Sequence, residues 1–162
     1  MTLSSPKGPL AEVASRFLPH FFRGRVVHGY GRGGKKLNCP TANLESSTVT
    51  SLPNDFPNGV YAGFARVEKT DLQPMVMSVG FNPHFGNEKK TLEVHILKEF
   101  NEDFYDKMVE AVALSFIRPL ESYSSLAELI NAIETDKSIA RSTMTDGQKT
   151  EVEKHKFFSA DA

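Results

Sequence analysis

The sequence predicts an α+β domain, mainly β: a small antiparallel barrel or sandwich followed by helices. Three observations predict it. Up to about residue 100 the chain carries short segments rich in β-branched and aromatic residues, separated by Gly or Pro clusters. Beyond that point, apolar residues recur at three-to-four-residue spacing. The strands precede the helices rather than alternating with them, which disfavours the parallel βαβ sheet of dinucleotide folds. The chain of 162 residues, 40% hydrophobic and 24% charged, fits one globular domain able to hold a core without disulfides or structural metal.

Taken in order, residues 1 to 15 lack the basic start, apolar stretch and small-residue cleavage site of a secretory signal, and read as a loosely held leader. Strands are expected over Arg25–His28, Val60–Val67, Met75–Val79 and Thr91–Leu97. The last is the clearest, because Leu92, Val94 and Ile96 alternate with Thr91, Glu93 and His95 and so place three apolar side chains on one face. From Phe104 to Leu114, the spacing of Phe104, Met108, Val109, Val112 and Ala113 behind Glu102 and Asp103 predicts a helix. Phe116–Pro119 reads as a short strand. Ser124 or Ser125 then caps a helix with Leu126, Leu129, Ile130 and Ile133 on one stripe, running towards Arg141. Residues 144 to 162 are polar apart from Val152, Phe157 and Phe158, which are expected to pack as a final arm. The organisation is therefore a single domain: leader 1–15, core 16–142, arm 143–162.

Composition narrows the function. Cys39 is the only cysteine, so neither an intramolecular disulfide nor a cysteine-rich zinc site can form, which fits a reducing compartment. We expect a cytoplasmic protein, with the mitochondrion also compatible. No apolar run reaches the roughly 18 residues of a membrane span, and no repeat is present. The net charge of −1 conceals an asymmetry: residues 1–44 carry seven Lys or Arg against Glu12 alone, whereas residues 45–162 carry −7. Arg16, Arg23, Arg25, Arg32, Lys35 and Lys36 fall in a stretch without an acid. Such a field suits a phosphate-bearing partner, and a solvated basic surface is the plain alternative.

The most informative stretch is Gly29–Leu44, GYGRGGKKLNCPTANL. Glycines 29, 31, 33 and 34 let the backbone approach a ligand and offer N–H groups to phosphate oxygens, with charge from Arg32, Lys35 and Lys36. Two familiar patterns fail on context. Pro40 leaves no room for the helix a Rossmann turn must open, and Lys36 stands where a Walker loop needs Ser or Thr. Just downstream, Pro40 stiffens PTAN while Thr41 and Asn43, two apart in an extended segment, point the same way and offer two oxygens. Hard cations take such donors and complete their shell with nucleotide phosphate and water. A plain glycine hairpin and turn is the competing reading.

The order of these motifs resembles the riboflavin kinase (flavokinase) family: GRGxKxLxxPTANL, G59VYAG63, SVGFNPHF at 78–85, TLEVHI at 91–96 and FIRP at 116–119, spanning roughly residues 16–142. The compact length is similar to the monofunctional eukaryotic type, without room for an adenylyltransferase domain. The resemblance implies a six-stranded antiparallel Greek-key β-barrel, with a helix packed on it and C-terminal helical segments. It implies transfer of the ATP γ-phosphate to the 5′-hydroxyl of riboflavin, giving FMN and ADP, with ATP as co-substrate and a divalent metal, Mg2+ or Zn2+.

By the same resemblance, Glu93 is the catalytic base, while Thr41 and Asn43 are metal and nucleotide ligands. Gly29, Lys35, Ile96, Lys98 and Tyr105 fall at nucleotide contacts, and Arg118, Glu121 and Tyr123 at flavin contacts. Lys98 and Glu121 would contribute backbone only, since the family varies there in side chain. The chemistry agrees: a primary alcohol is a poor nucleophile at neutral pH, and a positioned carboxylate that accepts its proton contributes roughly 10²–10⁴ in rate.

We expect a monomer with no nucleic-acid or membrane partner and a glycine loop, residues 29–36, that orders over ATP. Two other readings stay open on the residues alone. One is a barrel whose basic N-terminal third grips nucleic acid, though aromatics are not interleaved with its charges. The other is a barrel that stores flavin without chemistry. His28 and His84 lack a second ligand at metal spacing, and Phe81 and Phe85 either wall a site or close a hairpin. Arg118 has its own alternative, anchoring a helix carboxylate.

Overall fold

The computed structural model describes residues 9–27, 42–81, 90–98 and 105–159. The described residues form six strands: β1 (His20–Val27), β2 (Ala42–Leu44), β3 (Gly59–Val67), β4 (Gln73–Phe81), β5 (Lys90–Ile96) and β6 (Met108–Arg118). They close into an antiparallel barrel in the order β1-β2-β5-β4-β3-β6. The helices are α1 (Pro9–Ser15), α2 (Ser46–Thr50), α3 (Leu126–Thr143), α4 (Asp146–Glu153) and α5 (Lys156–Ser159).

The alternation of each strand sorts its residues between two cores. Leu92, Val94 and Ile96 point inward with Met75, Met77, Val79, Tyr61, Val109 and Phe116. Outside the barrel, Val60, Ala62, Phe64, Val76 and Val112 pack beneath Ala140 and Met144 of α3, Val152 of α4 and Phe158 of α5. The outer wall is thus covered by the C-terminal helices on one side and, among the described residues, by no helix on the other.

That second core explains an element the sequence assigns to the wrong class. The helix expected from Phe104 to Leu114 is absent among the described residues: from Met108 the chain runs as β6, which also takes in residues 116–118 of the short strand expected at 116–119. Val109, Ala111 and Ala113 face the inner core while Val112 faces the outer one. A strand buried on both faces reads as a continuous apolar run, in which helical spacing can be found by chance. Phe104 lies outside the described residues. The expected strands are present: β1 begins at His20, β3 gains Gly59 and β4 spans Gln73–Phe81, while β5 runs Lys90–Ile96, one residue earlier at each end than expected.

The leader also differs from expectation. Residues 9–15 form a helix, and Ala14 is fully buried in the inner core. Helix α3 begins as expected, with the Ser125 side chain accepting from the Glu128 backbone N–H. Its first turn stands clear of the barrel, leaving Leu126 54% exposed. The arm is fastened by charge as well as by its apolar residues. Buried Glu110 accepts from Arg23 and Arg66, whose guanidinium carbons lie 4.3 and 5.2 Å from the ring centres of Phe157 and Phe158.

Candidate active site

Strand pairing brings the site together on the outer wall, beside the part that the C-terminal helices cover. Asn43 lies directly opposite Glu93, and Glu93 lies opposite Ser78 on its other side. Their sequence neighbours Ala42, Leu44, Leu92, Val94, Met77 and Val79 all belong to the inner core. The amide, the carboxylate and the hydroxyl therefore project outward in one row. Adjacent Cα atoms in such a row are about 4.5–5.5 Å apart, close enough for the three side chains to meet one ligand. The row continues through Val60, opposite Ser78, and ends at Arg118, opposite Val60.

Arg118 reaches the outside because β6 carries a bulge there. Tyr61 pairs with Phe116 while Val60 pairs with Arg118, leaving Ile117 as the extra residue. The side chain is then held by α3: Nε donates to Asp136 Oδ1 at 2.9 Å and Nη2 to Oδ2 at 2.7 Å. Its Nη1 lies 3.7 Å from Glu121, and its guanidinium carbon 5.8 Å from the ring centre of Tyr123. Asp136 is 3% exposed. Burial raises its pKa, and the guanidinium acts in the opposite direction. The alternative weighed for Arg118, anchoring a helix carboxylate, is therefore present in the fold. It leaves the guanidinium partly exposed at the end of the row.

Glu93 differs in kind. It is half-buried, and burial alone pushes its pKa above the usual carboxylate value, with no charge or hydrogen bond offsetting that among the described residues. A desolvated, uncompensated carboxylate is a stronger base than one in water. Two residues on, His95 occupies the same outer side of β5. Burial, and then the cation of Lys137 on α3, lower its pKa to about 4, so it is neutral at pH 7.

The remaining expected contacts are scattered around this row. Ile96 points inward and is 7% exposed, which leaves only its backbone for a ligand, and its carbonyl accepts from the Lys98 N–H at 2.8 Å. Lys98 and Tyr105 are exposed. The Asp106 N–H donates to the Val26 carbonyl, which ties the Tyr105 region to β1 one residue from Val27, the partner of Asn43. Glu121 is exposed beside Arg118. Gly29, Lys35 and Thr41 lie outside the described residues, as do the whole 29–36 loop, His28, Cys39, His84 and Phe85.

No group of three or more His, Cys, Asp or Glu residues able to hold a metal occurs among the described residues. The donors at hand fit a different arrangement. One amide oxygen beside one carboxylate suits a hard divalent cation held mostly by phosphate and water. Two residues of the site escaped the sequence reading. Ser78 could have been found as the polar position between inward Met77 and Val79. Asp136 is a carboxylate in phase with Ile133 and Ala140 on the packed face of a helix, where an unpaired acid would be costly.

Residues 17–144 match the family described as Flavokinase: Riboflavin kinase. Human riboflavin kinase is 40% identical over 143 residues, covering 88% of this chain and 92% of its own length. The solved structure of riboflavin kinase from Trypanosoma brucei superposes with a TM-score of 0.66 at 28% identity, covering 88% of this chain and 87% of that one. A structure named as a macrolide-efflux protein from Streptococcus pneumoniae gives a TM-score of 0.61 at 30% identity; it matches 81% of this chain, which spans 42% of that one.

Proposed function

The chain belongs to the riboflavin kinase family, and from that premise we propose how its residues carry the γ-phosphate of ATP to the 5′-hydroxyl of riboflavin, giving FMN and ADP. Glu93 accepts the proton of the 5′-hydroxyl as the new P–O bond forms. Asn43, one strand away, presents its amide oxygen to the nucleotide phosphates and their divalent cation, Mg2+ or Zn2+, with Thr41 as the second oxygen donor. Gly29 and Lys35 contribute contacts to the same phosphates. Bound there, the cation would neutralise charge building on the transferring phosphoryl group. Ile96 and Lys98 meet the nucleotide through their backbone and Tyr105 through its exposed ring. Arg118, Glu121 and Tyr123 meet the flavin.

The observation that carries this reading is the register of β2, β5 and β4, which sets an amide, a desolvated carboxylate and a hydroxyl side by side. Position and desolvation together give Glu93 the reach and the basicity of a general base. The order along the wall supports the assignment of ends. Asn43 pairs with Val27, the residue before the basic 28–41 stretch, and Arg118 stands at the other end of the row, four pairings along it through β5, β4 and β3, beside Tyr123.

The test is Glu93→Gln, assayed for FMN with riboflavin, ATP and Mg2+ or Zn2+. Turnover is expected to fall roughly 10²–10⁴-fold with ATP affinity nearly unchanged. Turnover within twofold of wild type removes Glu93 from the mechanism. We further propose a cytoplasmic monomer. No helix among the described residues is long and apolar enough to cross a membrane.

A further inference from the structure

We propose that Ser78 is a specificity-determining residue that reads the polyol chain of the acceptor, next to the hydroxyl that is phosphorylated. The proposal rests on the reading of Glu93 as the base, and it follows from the order of groups across the wall. A phosphoryl acceptor must lie with its reacting oxygen at Glu93, its incoming phosphate towards Asn43 and the rest of the molecule in the opposite direction. That direction is β4, and the residue of β4 level with Glu93 is Ser78.

The outward positions of β4 around it are otherwise unable to recognise a hydroxyl. Val76 is apolar and belongs to the outer core. Gly80 has no side chain, and a Cβ there would collide with the Leu120 side chain, so Leu120 lies directly over the backbone. Ser78 is thus the one hydroxyl among the outward positions of β4, half-buried between Val76, Gly80 and Val60; the neighbouring Thr91 hydroxyl on β5 donates to the Gly80 carbonyl at 3.4 Å. A hydroxyl can both donate to and accept from a polyol. Beyond it the row passes Val60, which is 4% exposed and packed in the outer core, before reaching Arg118. A hydroxyl at that level of the wall suits an acceptor that carries further hydroxyls beside its reacting end.

The test compares riboflavin with a flavin bearing a 5-hydroxypentyl chain at N10, which keeps the acceptor hydroxyl and lacks the other three. Wild-type protein should favour riboflavin in kcat/KM. In Ser78→Ala that preference should shrink about 3–10-fold, the range of one neutral hydrogen bond, through riboflavin alone, with KM for ATP unchanged. Ser78→Thr, which restores a hydroxyl and suits a strand, should recover most of the preference. An equal preference in wild type and Ser78→Ala, with both proteins melting alike, overturns the proposal. Glu93→Gln run beside it separates the two failures. If that variant is inactive while Ser78→Ala keeps the full preference, only the role of Ser78 falls; if Glu93→Gln turns over normally, both fall.

Discussion

Two glutamates on the outer wall of one barrel, Glu93 on β5 and Glu110 on β6, meet opposite fates. Both sit on strands and both are removed from water. Glu110 faces Arg23 on one side and Arg66 on the other, at 3.1 and 2.8 Å, and is closed over by the C-terminal helices. Among the described residues, Glu93 faces an amide and a hydroxyl, neither of which carries charge. Burial with countercharges makes a carboxylate part of the scaffold, whereas burial without them keeps it reactive and costs stability. The same contrast recurs at smaller scale between Asp136, gripped by Arg118, and the open end of that arginine.

The sharpest way to break this comparison is to neutralise each glutamate in turn. Glu93→Gln should lose two to four decades of turnover and melt no lower than wild type, since a charge disfavoured by burial is removed. Glu110→Gln should do the reverse. Turnover stays within a few-fold, while unfolding free energy falls about 2–3 kcal/mol, because Arg66, 13% exposed, loses its partner and solvent screens the half-exposed Arg23. That corresponds to roughly 5–10 °C in melting temperature. A Glu110→Gln protein as inactive as Glu93→Gln, yet equally stable, would dissolve the distinction.

A second measurement concerns the histidine beside the site. His95 has a folded pKa of about 4 against 6.5 unfolded, so the unfolded chain binds the extra proton first. Its contribution is complete above pH 6.5 and is lost as pH falls towards 4, by up to about 3 kcal/mol. His20, packed against Phe22 and Phe56, is shifted the same way by burial and adds to the trend. Denaturant midpoints between pH 7 and 5 should therefore fall, and His95→Asn should flatten the slope. A slope unchanged in that variant would place the acid sensitivity elsewhere.

The smallest effect sharpens the picture of Glu93 itself. Because burial raises its pKa, the acid limb of kcat/KM should lie above the pH at which an exposed glutamate titrates. A limb at or below the ordinary carboxylate value would mean that the carboxylate is better solvated than its position on the wall implies.

Much of this was legible in the chain because the signals are local. The alternation of residues 91–96, the Ser125 cap and the Val152 and Phe158 anchors each depend on a few neighbouring residues, and each stands where expected. The expected helix at 104–114 failed for a nonlocal reason. Whether an apolar run is a strand or a helix depends on what covers its second face, and here α3 to α5 cover it. Helix α1 was missed similarly: its single fully buried residue, Ala14, finds its partners in strands far along the chain.

The amino-acid order alone fixed which groups were available, the oxygen-bearing PTAN segment, a strand glutamate and an arginine before proline, since side-chain chemistry and alternation are properties of adjacent residues. Only the closed barrel decided which of them meet. Register between strands is set by the shared inner core and by the bulge at Ile117, and slipping either pairing by one residue would turn Asn43, Ser78 or Arg118 to the other face of the wall.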